Sequence, residues 1–453
     1  MEPSESVYPY PQKCPFQQPE ELTWRRRNAP VSQVRLANGS LVWLVTRYDD
    51  VRTVLTDARF SRRHVREGAV DGRPPGAPVP PDGAPVPPGA AVPPPGVPGP
   101  PGAAVPRPPA PGARPPGTPG PQGAPRGASP GGPFDFGMSL ADPEHHAAWR
   151  GALAAVLTPR HAESLREEVG RAVEEVLDAL EKGPRPVDLV SGFAYQVPVR
   201  VLCALFDLPD ELHPDFRTWA ERVRAAAPST AAFGEAMGSL LGCARRLVGK
   251  ERATPGEGLL GLLLRRAEPA SGLSDDDLLS TVMLLATAGY ESTAVQFANG
   301  LLALFQHPDE LARLRDDTVT AGAAVEEVLR YAQAGTGFAG TTVTTEEVRL
   351  GEVTVPAGAT VFISLDSAAR DEAHTARPDV FDLAQGAPHH HLAFGAGSHY
   401  CLGSSLARVE LQEGFVRLLR RFPDLRLDGD PAEVEFTGNL FHRYPRELRA
   451  VWS

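Results

Sequence analysis

Lysine is nearly missing from this chain: among 45 basic residues only Lys13, Lys182 and Lys250 are lysine, and the rest are arginine. That is the mark of GC-rich coding and bears on origin, not on chemistry. Cysteine is scarce too. Cys14, Cys203, Cys243 and Cys401 are scattered and form no C-x-x-C pair, which excludes a disulfide framework and the usual zinc spacing. Positive charge is not in excess. A formal net charge of −11 offers no dominant basic field, so nucleic acid is not an expected partner. The run Arg25-Arg26-Arg27 reads as a solvated face. Long apolar runs are also missing: the longest mostly apolar stretch, Leu278 to Ala288, is too short to span a bilayer. Met1 to Cys14 is rich in proline and acid and lacks an apolar h-region, so no signal peptide is expected. The expectation is a monomer in a reducing cytoplasm, off the membrane.

What is present suits a sizeable core: 453 residues, 42% hydrophobic and 22% charged, ordinary proportions for a globular chain. Proline and glycine concentrate in one place. Of 48 prolines, 25 fall within 71–133, where few residues are both apolar and large, so that stretch is predicted to be disordered or PPII-like. Its Gly117, Gly120, Gly123 pattern is too brief for a collagen helix. Residues 1–70 and 134–453 read as two parts of one domain that this low-complexity insert interrupts.

The periodicities are mostly helical. Leu41 to Thr46 alternates like a strand, and Tyr48 to Asp57 reads as a short helix. Leu165, Val169, Val173, Val176 and Leu180 recur with a helical period. The longest helix is predicted to start at Ser274, an N-cap with Asp277 three residues on, and to run to His307, where Pro308 stops it. About 32 residues would span roughly 48 Å. A further helix is expected over Ala323 to Ala332, and strands over Val348 to Leu350, Val353 to Pro356 and Thr360 to Leu365, with Pro356-Ala357-Gly358 as a turn. A last helix should run from Leu402 to Phe422. The fold class is mainly α with a small β portion.

One segment carries chemistry: Phe394-Gly395-Ala396-Gly397-Ser398-His399-Tyr400-Cys401-Leu402-Gly403. A cysteine just before a helix N-terminus is placed to be a thiolate, since the helix end favours negative charge. The glycines let the backbone fold tightly beneath a flat cofactor and aim N–H groups at sulfur, and such donors tune an iron-bound thiolate. Gly403 would let the last helix approach closely. The bland alternative is a buried free cysteine in a glycine-rich loop.

The pattern resembles the haem-binding loop of cytochromes P450, F-G-x-G-x-[HR]-x-C-x-G, with every fixed position met. Three other motifs stand in the order that family requires. Glu327-Val328-Leu329-Arg330 is similar to the E-x-x-R pair that fixes the core beneath the haem. Alone it would be an ordinary i,i+3 surface pair, and its place 71 residues before Cys401 gives it meaning. His146 and Arg150, following Asp142-Pro143-Glu144-His145, resemble the C-helix motif, sharing a face at i,i+4 and able to reach a haem propionate; His145 should point elsewhere. His399 matches the residue that binds a propionate in members of the family. Ala288-Gly289-Tyr290-Glu291-Ser292-Thr293 is similar to the oxygen-activation motif, with small residues over the iron and an acid followed by alcohols to relay protons.

The resemblance covers nearly everything outside the insert and is to soluble bacterial members that take electrons from a ferredoxin and its reductase. It implies the P450 fold, haem b with Cys401 as axial ligand of the iron, and Phe394, Gly395, Gly397 and Gly403 framing it. The implied activity is a monooxygenase: one oxygen atom enters an apolar organic substrate, by analogy a secondary-metabolite intermediate, free or carrier-bound. The alternatives are a peroxygenase or oxidative-coupling enzyme, and a non-catalytic haem-binding protein, which the intact Cys401 disfavours. Two departures stand out. Serine, Ser292, occupies the usual threonine position, with Thr293 next. Thr342 stands where bacterial members often carry an arginine for a propionate, which puts one expected contact in question. The substrate would meet Leu284 to Ala288, Gly337, Phe338, helices near Leu212 to Leu241 and the flanks of the insert. His389 to His391 reads as a polar loop and not as a metal site.

Overall fold

A computed structural model describes residues 7–10, 16–36, 39–62, 143–226, 230–266, 273–335, 341–385, 391–438 and 442–453. The insert over 71–133 lies outside these residues, as do Cys14, Gly337, Phe338, His389, His390 and the side chain of His145.

The elements that position the site are labelled here in chain order. Strands β1 (Val31–Arg35), β2 (Leu41–Val45), β3 (Phe60–Ser61), β4 (Thr341–Thr344) and β5 (Thr360–Ile363) make one sheet in the order β1-β2-β5-β4-β3. Three of these strands precede the insert and two follow it. β2 runs parallel to β5, with Trp43 opposite Val361, and β3 runs antiparallel to β4, with Phe60 opposite Thr344 and Ser61 opposite Val343. β5 is shorter than expected. It ends at Ile363, because Ser364 caps a short helix, Leu365–Ala368, its hydroxyl accepting from the Ser367 N–H.

The helices that matter are α1 (Tyr48–Thr56), α2 (Pro143–Val156), α3 (Arg166–Lys182), α4 (Gln196–Phe206), α5 (Asp275–Gln306), α6 (Ala321–Tyr331) and α7 (Ser404–Arg421). α5 begins and ends where its sequence signals place it. The Ser274 hydroxyl accepts from the Asp277 N–H at 3.1 Å while the Asp277 carboxylate accepts from the Ser274 N–H at 2.9 Å, and His307 closes the other end before Pro308. Three aspartates in the first turn complement the positive end of the helix dipole.

By length and composition α5 is the one helix among the described residues able to cross a bilayer, so the whole helix passes a test that its strictly apolar stretch fails. It is a core helix. Its second half is buried, Phe297 packing edge-on against Phe193 and Phe415. α5 and α7 approach so closely that a methyl on Gly414 would lie 2.4 Å from the Phe297 ring, and one on Gly300 2.6 Å from Phe415. Only glycine fits at either crossing.

Two sequence expectations need correction. Arg26 is not part of a solvated face: it is 1% exposed, and its Nη1 donates to Gln18 at 2.7 Å and to the Ser367 hydroxyl at 3.2 Å. Three consecutive residues on a helix sweep about 200°, so the run in Glu20–Asn28 had to turn one arginine inward, while Arg27 stays on the surface and pairs with Glu372. His391 is likewise not part of a solvated polar loop. Its side chain is buried and bonds to Glu326.

Cys203 and Cys243 sit in the core, where burial pushes their thiols up to about 12 and about 11, so both behave as inert apolar groups. A polar cleft of about 560 Å³ between α3 and α7 is lined by Arg166, Glu174, Glu413, Arg417 and Arg421 among others. These charges already pair with one another, so the cleft is a fastening between two helices.

Candidate active site

The loop from Phe394 to Gly403 lies between the end of the sheet region and α7, and its backbone folds back on itself. The Cys401 N–H donates to the Phe394 carbonyl at 2.9 Å, and Gly395 and Gly397 take left-handed conformations at φ 70° and 69°. Gly397 is further constrained. A methyl there would lie 2.6 Å from the Leu55 carbonyl oxygen and 3.1 Å from the Thr56 Cα, so the loop is pressed against the C-terminal turn of α1.

Cys401 is surrounded closely enough that burial pushes its thiol up, while the Gly403 N–H, Arg150 and Arg408 act in the opposite direction. It nevertheless keeps accessible surface. Both are true of a side chain set in a recess. The Gly403 N–H, which favours the charged sulfur, is one of the free donors at the start of α7, and the helix end favours negative charge there.

Behind the loop, Arg408 of α7 forks onto Glu326 of α6 at 2.6 and 3.1 Å, and its guanidinium lies 4.5 Å from the centre of the Phe394 ring. His391 reaches the same carboxylate at 3.2 Å, while its Nδ1 accepts from the Ala393 N–H at 3.2 Å, which leaves Nε2 as the donor. Burial works against the charged form of Glu326, but the His391 and Arg408 hydrogen bonds outweigh it and hold the carboxyl down at about 2. This network was not legible in the sequence, since its members are 65 and 82 residues apart.

Glu327, the residue after Glu326, and Arg330, one turn further along α6, are both buried. Arg330 donates to both Glu327 oxygens at 2.8 Å and to the carbonyls of Ala369, Pro378 and Val380. Glu327 also accepts from the Asp382 N–H at 3.0 Å. All five guanidinium donors are used, and the pair fastens α6 to the chain leading toward the cysteine loop.

On the other side of the loop, basic groups gather. His146 of α2 is buried, with its ring 4.5 Å from that of His399. One turn on, Arg150 donates to the Tyr400 carbonyl, next to Cys401. Arg62, at the end of β3, completes the group. Burial and the charge of Arg150 lower its pKa to about 10, and its own charge is felt by both histidines. Burial, then Arg62, His146 and Arg150, push His399 down to about 3. No carboxylate among the described residues pairs with any of the four. Arg62 went unrecognised in the sequence because its place depends on strand pairing with residues some 280 positions away.

The middle of α5 presents a less covered stripe in an otherwise buried helix. Leu284, Leu285, Glu291 and Ser292 are half-buried and Ala288 is exposed. The Ser292 hydroxyl lies on this stripe and donates to the Ala288 carbonyl at 2.5 Å. Thr293 points to the buried side. Glu291 lies 3.6 Å from His442, near Tyr195 and Tyr290. Gly289 does not belong to the open face, since a methyl there would meet Leu202 of α4 at 3.3 Å; its smallness serves helix packing. Thr342 is buried, and its hydroxyl has no hydrogen-bond partner.

The family model described as cytochrome P450 matches residues 250–446. The nocardicin C N-oxygenase of Nocardia uniformis subsp. tsuyamanensis is 34% identical over 432 residues, covering 94% of this chain and 94% of that one. The mycinamicin IV hydroxylase/epoxidase of Micromonospora griseorubida is 32% identical, covering 98% and 99%. Among solved structures, CYP105P2 of Streptomyces peucetius in complex with a biphenyl compound superposes with a TM-score of 0.77 at 32% identity, covering 98% and 99% of the two chains.

Proposed function

The chain belongs to the cytochrome P450 family and is a haem monooxygenase, and from that premise we propose that it oxidises an apolar secondary-metabolite scaffold with electrons from a ferredoxin and its reductase. The observation that carries this reading is Cys401, recessed at the start of α7 and receiving the Gly403 N–H. The site fits haem b, a flat dianionic cofactor. It offers one sulfur ligand on one side and, near it, basic groups that no carboxylate among the described residues neutralises. Cys401 would hold the iron, and His146, Arg150 and His399 the propionates. When bound, the haem supplies the activation of dioxygen.

The protein's own part is positioning and proton handling. The exposed Ala288 leaves room on the open stripe of α5. Ser292 and Glu291 stand on that stripe to pass protons inward, with Thr293 behind them. The apolar surface of Leu284 and Leu285 would meet substrate, and the relatives named for nocardicin C and mycinamicin IV support a scaffold of that general class. A cytoplasmic location and a monomer complete the reading.

A second reading, a peroxygenase, is favoured by one observation: the Ser292 hydroxyl is engaged with its own helix and Glu291 lies toward His442, and a peroxide-driven reaction asks less of both. Turnover separates the two. Coupled consumption of NADPH and O₂ with a ferredoxin and reductase present supports the first; turnover with peroxide alone supports the second.

Replacing Ser292 by alanine is expected to cut product formed per NADPH about tenfold, with hydrogen peroxide appearing instead. That is less than the roughly 100-fold or more that a positioned proton donor contributes, because Glu291 and Thr293 remain. Ser292→Thr should be neutral or better coupled, since the added methyl restricts χ1. Unchanged coupling in Ser292→Ala together with collapse in Thr293→Ala would move the relay to Thr293.

The 71–133 segment is proposed as an insertion within one domain, supported by the sheet that joins β1, β2 and β3 to β4 and β5. Replacing it with a short Gly/Ser loop should leave haem content and melting temperature near those of the parent, since each doubling of loop length costs only about 0.6 kcal/mol. A shortened protein unable to take up haem would contradict this. Normal haem with turnover lost only on the native substrate would mark the segment as a docking arm.

A further inference from the structure

The end of β3 brings Arg62 near Thr342. In the antiparallel β3–β4 ladder Phe60 faces Thr344 and Ser61 faces Val343, and β3 ends there, so Arg62 leaves the ladder where Thr342 is the next residue of β4. Opposed residues in such a pair are near neighbours, and one residue past the last pair the two chains are still close. Thr342 is the departure noted in the sequence, where an arginine is expected to meet a propionate. Here it is a short, buried side chain whose hydroxyl finds no partner, and it cannot reach as far as a guanidinium.

Arg62 can. Its guanidinium lies close enough to Arg150 to feel that charge, and close enough to His146 and His399 for both to feel its own, and it makes no hydrogen bond or ion pair with another described residue. A partly buried guanidinium beside a second cation, with no anion between them, is unfavourable by itself. The arrangement becomes favourable when an anion with more than one acceptor oxygen sits among the four groups, and a carboxylate held by a planar fork is the natural fit.

We propose that Arg62, just past the end of β3, binds a haem propionate, taking over the role that Thr342 cannot fill on β4. The proposal rests on the haem-thiolate reading of Cys401 but concerns the opposite edge of the cofactor, so the two fail separately. Arg62 is a positioning residue: it holds the cofactor and touches no reacting atom.

The test is haem retention in the purified ferric holoprotein, followed by transfer to excess apomyoglobin. Arg62→Ala should lose haem at least tenfold faster than the parent, and Arg62→Lys should fall between, having a charge but no fork. The double variant Arg62→Ala/Thr342→Arg should recover most of the loss, because it returns the guanidinium to the facing position. The midpoint potential should move negative in Arg62→Ala, since removing a nearby cation favours the ferric state, and should return in the double variant; a purely structural role would not produce that pairing. The red-shifted Soret band of the ferrous carbonyl complex should persist in all three, because it depends on Cys401; its absence from the parent would overturn the haem-thiolate reading instead. Where Arg62→Ala does not accumulate, Arg62→Gln carries the same comparison. Parental haem loss in Arg62→Ala or Arg62→Gln, or faster loss that Thr342→Arg fails to restore, overturns the proposal.

Discussion

Cys401→Ser is expected to abolish the red-shifted Soret band of the ferrous carbonyl complex and to take monooxygenase turnover to background. The reasoning starts from the sulfur's surroundings. Burial alone would keep Cys401 a neutral thiol, and the Gly403 N–H, Arg150 and Arg408 only partly offset it. Coordination to the haem iron would deprotonate such a thiol, and Cys401 would then supply the electron density that favours O–O cleavage. Serine keeps the shape and could accept the Gly403 N–H, but an alcohol is a far weaker acid and a harder ligand. The basic groups at its edge still favour haem in Cys401→Ser, so the informative readout is the position of the carbonyl band and not haem content. A band that stays red-shifted in Cys401→Ser would remove the thiolate from the site and with it the assignment of this loop.

The second large effect belongs to the buried pair on α6. Glu327→Ala is expected to destabilise the fold by about 3–5 kcal/mol, the range for stranding one partner of a buried ion pair. That is a large share of a total stability of about 5–15 kcal/mol, so little haem-loaded protein should accumulate. Removing the carboxylate leaves a guanidinium that is 6% exposed without its counter-charge and orphans the Asp382 N–H. Arg330→Lys should also be costly despite keeping the charge. Lysine has three donors in place of five and no planar fork, so both Glu327 oxygens and the carbonyls of Ala369, Pro378 and Val380 could not all be served. Urea unfolding and haem per polypeptide give the measurement. Near-parental stability in Glu327→Ala would mean that the carbonyl contacts of Arg330 do the holding without the carboxylate.

How much could be read beforehand depended on whether a feature is local. α5 was legible to the residue, because a capping box and a following proline are short-range signals with a steric basis. The cysteine loop was legible because tight backbone geometry beneath a flat cofactor forces glycine at fixed offsets. The helix over Gln196–Phe206 has no side-chain N-cap and went undelineated; the one over Ala231–Ala253 was missed although Thr230 caps it and Pro255 follows it, because a single threonine and a nearby proline are too common to mark a helix by themselves. Burial of Arg26, the Glu326–His391–Arg408 network and the placement of Arg62 were hidden for another reason. Each depends on partners tens to hundreds of residues away, and nothing in a neighbouring stretch of sequence distinguishes an arginine that will be enclosed from one that will face water. Ser292 is intermediate: its position in the motif was clear, but its hydrogen bond to Ala288 came only with coordinates.

Gly397 has a consequence for biosynthesis. The last turn of α1 has its seat against that glycine, and β2 has its parallel neighbour in β5, so the first sixty residues of the protein are made early and finished late. At about 5–20 residues per second, the ribosome needs roughly 15–60 s to travel from β2 to β5. Through that interval the β1–β2 hairpin must wait with one edge unpaired, a state that invites association with other chains. Slow non-local pairing of this kind is the sort that cells attend with chaperones, and a long polypeptide between hairpin and partner prolongs the wait without altering the final fold. The yield of folded protein should therefore respond to expression temperature and to translation rate more than the stability of the finished molecule would suggest.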